Sequence, residues 1–361
     1  MTIRTLLAAG AVAAMVAAAP AGLSAQEVDF SGDRIEWIVP FGEGGGTDTM
    51  ARFLSPIFAK HLPGEPTIIV RNVPGGGSTL GANQFANRAE PDGRTVLQTG
   101  GSTVMPYLLG DPRVEYDYRD FEPVMATASG AVVYIQPDLG VSDTSEIQDL
   151  KGQTLRFGSQ GASSLDLLAL WAFRMLDLDV QPVFGMEGSG PKRLAFERGE
   201  SQIDMQTSAG YIDHVQPREE AGEVVPLWAW GVVNDEGELE RDPSFPQIPH
   251  FGEAYEALHG EPPSGEDFEV MKALIEAGYG TEKFIFLPGG TPDEIVQAWR
   301  DAAAKVVEDP AYLEGRESIL GKNPHVVAPR VERALERATS LDDDTRREIV
   351  DWLAEEYDYR L

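Results

Sequence analysis

The chain has 361 residues, with 59 Asp and Glu against 29 Lys and Arg, for a formal charge of -30. Nucleic acid is excluded as a partner because a polyanion gains little counterion release from such a surface, and the absence of cysteine removes disulfides, thiolate catalysis and cysteine-held metals. A 42% hydrophobic content at this length predicts a globular chain divided into two domains.

Residues 1–25 carry one early base, Arg4, run apolar from Leu6 to Ala19, turn at Pro20 and end on Ser24 and Ala25. This is the pattern of a secretory signal peptide, too short in its apolar part to cross about 30 Å of hydrocarbon. No later run reaches the length of a membrane span, so a soluble periplasmic protein is expected after cleavage.

The apolar run IEWIVP at 35–40 predicts a buried strand and leads into the glycine turn at 42–46. Thr47 or Asp48 then caps a helix to about His61, with Met50, Phe53, Leu54, Ile57 and Phe58 at helical spacing. The device recurs: a strand at 67–70, a turn at 74–78 and a helix at 80–87; then a strand at 95–98 entering the turn 99–103. Three such units predict a parallel α/β sheet. Residues 121–135 are long enough to leave this sheet for another, and 141–150 predict a connecting helix. A second α/β set follows: strand 155–157, loop 158–164 and helix 165–176; strand 180–184, turn 187–191 and helix to Arg198; strand 202–206 ending at Thr207 and Ser208. The run VVPLWAWGVV at 224–233 is apolar on both faces and is expected to return to the first sheet, with the acidic, Pro- and Gly-rich stretch 234–266 as a surface insertion. A strand at 284–288, a helix from Thr291 and Pro292 to Val307, and a terminal helix at 341–357 packing through Ile349, Leu353 and Tyr357 complete the chain. The predicted division is 1–25 signal, 26–127 and 228–361 first domain, 128–227 second domain.

The repeated glycine and hydroxyl turns at strand C-termini carry the chemistry. Each helix that follows presents unpaired N–H groups and about half a positive charge, and glycine lets an anion approach them. GEGGGTDT lacks the Lys-Ser/Thr of a phosphate loop, and Thr47 stands where a dinucleotide fingerprint needs its last glycine. The five histidines show no H-E-x-x-H spacing, and Ser102, Ser159, Ser189 and Ser208 each miss a nucleophile elbow. No metal or cofactor is expected. Asp48 and Arg52, four apart on one helix, read as a structural ion pair, with ligand contact by Asp48 as the alternative. Asp166 reads as a partner of its helix dipole, and Trp228 or Trp230 as a reporter of closure.

Residues 39–48, VPFGEGGGTD, followed by Ala51 and Arg52, resemble the opening of the tripartite tricarboxylate transporter substrate-binding proteins, the TctC or Bug family. Further likenesses fall in order at 70–77 with Gly81 and Ala82, 91–95, 121–124, 157–161, 188–191 with Gly199, Glu200 and Asp204, and 288–292. The resemblance implies a two-domain periplasmic-binding-protein fold of type II-like plan, each domain a mixed sheet flanked by helices and joined by crossover strands. It implies a solute receptor, not an enzyme, that closes on a small organic carboxylate, delivers it to a membrane permease and works as a monomer. Carried over by motif, the first-domain clamp is Phe41, Gly44, Gly45, Gly46, Thr47 and Asp48, with Ser102 and Thr103. The opposing clamp is Ser159, Gly161, Ala162 and Ser163, with Gly188, Ser189, Thr207 and Ser208. The chain departs from the family pattern at 164–166, where a histidine is usual, and at 183–188, both at the distal end of a ligand. The competing readings are a secreted hydrolase or lyase with Asp48, Asp166 or Asp204 as base, and a sensor subunit presenting its closed form to a membrane kinase.

Overall fold

A computed structural model describes residues 28–234 and 236–361; the expected signal peptide lies outside the described residues. The strands are β1 (Arg34–Val39), β2 (Thr67–Asn72), β3 (Thr95–Gln98), β4 (Glu122–Thr127), β5 (Ala131–Ile135), β6 (Leu155–Gly158), β7 (Val180–Val183), β8 (Ile203–Thr207), β9 (Val225–Ala229), β10 (Val232–Val233), β11 (Leu239–Glu240), β12 (Lys283–Leu287) and β13 (His325–Val327). The first sheet runs β13-β4-β12-β3-β1-β2 and the second β7-β6-β8-β5-β9, while β10 and β11 form a separate antiparallel pair. In each large sheet three strands are parallel (β1, β2, β3; β6, β7, β8) and antiparallel strands extend one side, so both are mixed, as expected.

Local sequence explains this plan. In β1 Ile35, Trp37, Ile38 and Val39 are almost wholly buried, and Trp37 packs edge-on to Phe58 of the Gly46–His61 helix at 5.4 Å. Its indole N–H, which burial would otherwise leave unpaired, donates to Gln98 Oε1 at 2.9 Å. The helix turns Met50, Ala51, Leu54, Ile57 and Phe58 inward, matching the apolar spacing, while Phe53 lies at its edge stacked on Tyr312.

The chain leaves the first sheet between β4 and β5, as the length of the 121–135 segment required. The expected return at 224–233 is corrected: β9 pairs antiparallel with β5, Ala229 opposite Val132, so residue 228 lies in the second lobe. An apolar-on-both-faces run marks a buried strand and does not identify its sheet. The return is made by β12, antiparallel between β3 and β4.

The supposed surface insertion is also corrected. It contains β11, which pairs with β10, and the helix Phe251–His259, which seats fully buried Phe251 against Trp228 and Trp230, each at 6.2 Å. His250 caps this helix, its Nδ1 accepting from Glu253 N–H while the Glu253 carboxylate accepts from His250 N–H. The acidic composition belongs to its solvent face. Phe251→Ala should therefore cost about 3–5 kcal/mol in a urea titration, as core aromatic truncations do; a loss within about 0.5 kcal/mol, typical of surface sites, would contradict this packing.

The terminal helix Asp343–Tyr357 crosses the seam between lobes. Ile349 and Leu353 are buried, Trp352 meets Trp171 of the second lobe edge-on at 4.9 Å, and Phe184 meets Tyr357 at 5.7 Å. Just beyond, the Tyr359 hydroxyl donates to Asp111 of the first lobe at 2.7 Å and lies 2.9 Å from Ser163 Oγ of the second.

Candidate ligand cleft

Glycine decides how closely the lobes approach. The first-lobe loop at 42–46 lies directly against the second-lobe turn at 188–190. Gly42 N–H donates to Glu187 O at 2.6 Å, and a Cβ placed on Gly190 would stand 2.1 Å from Glu43 O. A Cβ on Gly45 would stand 2.5 Å from Ser189 Oγ, and one on Gly46 2.1 Å from Thr207 Oγ1. Across the seam Ser102 Oγ accepts from Gln160 Nε2 at 3.0 Å and from Leu165 N–H at 3.1 Å. The two turns face each other, and the lobes are closed.

Between them lies a cavity of about 30 Å³, lined from the first lobe by Phe41, Gly45, Thr47, Gly101, Ser102 and Glu282. The second lobe contributes Gln160, Leu165, Asp166, Ser189, Lys192, Met205 and Thr207. Three helices start at this cavity: Gly46–His61, Gly101–Leu109 and Ser189–Glu197. Their first N–H groups lack the carbonyl four residues back that later turns use, although Thr103 N–H donates to Gly100 O at 2.8 Å, and their dipoles place positive potential on the cavity. The arrangement can hold a small anion through main-chain donors.

No family model matches the chain. It is 27% identical over 328 residues to the UPF0065 protein of the tcbD-tcbE intergenic region of Pseudomonas sp. (strain P51), covering 88% of each chain. Two solved structures share the fold over nearly their whole length. Periplasmic binding protein BugD aligns with a TM-score of 0.68 at 19% identity, covering 89% of this chain and 97% of its own. MatC from Rhodopseudomonas palustris with bound malate aligns at 0.64 and 25% identity, covering 88% and 97%. The chain is thus similar, in sequence and in fold, to the Bug, or TctC, solute-binding proteins.

In this cleft, Phe41, Gly45, Thr47, Ser102, Ser189 and Thr207 are the sequence-predicted residues that the fold brings together at the cavity. Gly46 lies one step back, against Thr207 and Gly210, and Gly188 backs onto Gly42 and Phe41. The others sit elsewhere. Gly44 N–H donates to Asp48 Oδ2 at 2.9 Å, and buried Asp48 also takes Arg52 and Asn72, so Asp48 braces the loop. Thr103 Oγ1 donates to Gly100 O and accepts from the Tyr118 hydroxyl. Ser159 Oγ donates to Asp166 Oδ2 at 3.2 Å and accepts from Gly161 N–H, beneath the cavity wall. Ala162 is buried in the apolar core, and Ser163 points away to Asp111 and Tyr359. Ser208 Oγ accepts from Gly130 N–H at 2.8 Å, at the crossover.

Seven lining residues were not singled out as ligand contacts: Gly101, Gln160, Leu165, Asp166, Lys192, Met205 and Glu282. Gly101 and Gln160 had a legible signal in the turn 99–103 and the loop 158–164, as did Lys192, which stands in the first turn of the helix behind the 187–191 turn. Its ammonium binds Asp166 Oδ1, both side chains being buried, and sits 4.7 Å from the Phe157 ring. Asp166 Oδ2 accepts from Gln160 N–H at 2.7 Å and from Ser159 and Ser164. The partner of Asp166 is thus a lysine, where the sequence suggested its helix dipole. Behind the pair, burial raises the Asp204 carboxyl above the usual range, although Lys192 and the Tyr134 hydroxyl at 2.5 Å pull it down. On the first lobe Glu282 pairs with Lys283, whose ammonium burial shifts downward.

Proposed function

We propose that this chain is the extracytoplasmic receptor of a tripartite tricarboxylate-type transporter: it closes on a small organic carboxylate and presents the closed form to a membrane permease. Residues 1–25 would direct export and be removed, and the receptor would act as a monomer. The observation that carries this reading is the convergence of three helix N-termini on one cavity at a seam built from glycine. Ligand adds contacts that exist only when the lobes meet, so it favours closure. Main-chain donors to a charged group contribute about 1.5–3 kcal/mol each, and a handful supply the roughly 8 kcal/mol of micromolar binding after association costs. The overall negative charge opposes this only weakly, because exposed charges are screened beyond about 8 Å. Malate, held by MatC, belongs in the first trials. A hydrolytic role for Asp48 or Asp166 is disfavoured, since cations and N–H groups already occupy both carboxylates.

The test is a thermal-shift screen of mono-, di- and tricarboxylates, aromatic acids included. A ligand at a hundred times its Kd should add about 2.7 kcal/mol. Failure of the whole panel to stabilise the protein would defeat the proposal.

A further inference from the structure

This inference rests on the receptor reading above and concerns the chemistry of the ligand. The charged side chains lining the cavity are Asp166, Lys192 and Glu282, at 0%, 1% and 2% exposure. Lys192 is the one base among them, and it is committed to Asp166. Glu282 stands on the opposite lobe. One of its oxygens takes the Lys283 ammonium, while Oε1 has as its protein partner only Gly101 N–H at 3.5 Å, the outer limit of a hydrogen bond. A carboxylate offers about four acceptor sites, so Glu282 retains acceptor capacity at the cavity wall.

Two consequences follow. The N-terminus of the Gly101–Leu109 helix already faces a carboxylate of the protein itself, which leaves the Gly46–His61 and Ser189–Glu197 helices to receive a ligand anion. Lys192 is held by Asp166, and Lys283 takes the other Glu282 oxygen, Oε2, without lining the cavity, so a second ligand carboxylate would meet Glu282 Oε1 or have to break Lys192 away from Asp166. Two carboxylates sharing one buried site disfavour each other's charged form. We infer that the ligand carries one carboxylate for the helix ends and an ammonium group for Glu282: a small amino-acid-type zwitterion, in preference to a di- or tricarboxylate. Glu282 is the residue that sets this preference.

The test uses skeleton-matched pairs in calorimetric titration of the whole protein: propionate against alanine and β-alanine, butyrate against γ-aminobutyrate, with succinate and malate as diacids. At least one amino acid should bind ten-fold or more tighter than its deaminated partner and than either diacid. In Glu282→Gln that ratio should fall to near one. If carboxylates bind without preference for the amino form, or if Glu282→Gln leaves the ratio unchanged, this inference fails while the receptor reading stands. If no carboxylate of any kind binds, both fail. Should the variant not fold, the wild-type ratios decide alone.

Discussion

Gly190→Ala is expected to reduce ligand affinity at least a hundred-fold while both lobes remain folded. The argument rests on where the added methyl group goes. Gly190 is the second residue of the Ser189–Glu197 helix and has no positive φ, so alanine fits its backbone and is favoured in helices over glycine by up to about 1 kcal/mol. Closed lobes leave no space for it: the Cβ would lie 2.1 Å from Glu43 O, 2.9 Å from Gly44 C and 3.0 Å from Gly45 N. All three are main-chain atoms, so no side-chain rotation relieves the overlap. A cost of about 3 kcal/mol confined to the closed state lowers apparent affinity by roughly two orders of magnitude, since affinity scales with the population able to bind. Calorimetry with the most strongly stabilising compound of the carboxylate screen, alongside far-ultraviolet circular dichroism, separates the two effects. Wild-type affinity in Gly190→Ala would mean that the bound lobes do not meet as described.

The second large effect is on stability. Lys192→Met keeps most of the apolar stem yet leaves Asp166 Oδ1 buried without its cation, and removing one member of a buried pair costs about 3–5 kcal/mol. Urea unfolding should show that loss with an unchanged slope. Adding Asp166→Asn removes the stranded charge and should recover part of the loss, because the Oδ2 position keeps an acceptor for Gln160 N–H. A single-variant loss under about 1 kcal/mol would indicate a pair in contact with water, as exposed ion pairs are.

The parts of the fold legible in sequence were those with a local signature. Strand, glycine turn and amphipathic helix follow one another at 35–61 because each is specified by neighbours in the chain, and the first-lobe loop with Phe41, Gly45 and Thr47 came with them. What escaped depends on partners far apart in sequence. Nothing local tells β9 whether to pair with β5 or with the first sheet. The hydroxyl run at 159–164 appeared to line the cleft as a whole, but the Gly161 carbonyl accepts both N–H and Oγ of Ser164, and this tight turn sends Ser163 outward to Asp111. Glu282 precedes β12 and lies in no glycine turn, so its place on the cavity wall is a product of the crossover alone.

The terminal helix supplies an intrinsic optical probe. It is tied to the second lobe through the Trp352–Trp171 edge contact, with the Arg174 guanidinium 4.4 Å from the Trp171 ring, and its trailing Tyr359 hydroxyl is tied to Asp111 of the first lobe. Parting the lobes must disturb an indole pair or a hydrogen-bonded phenol. Either route perturbs a near-ultraviolet chromophore, so capture and release can be followed label-free in the unmodified molecule.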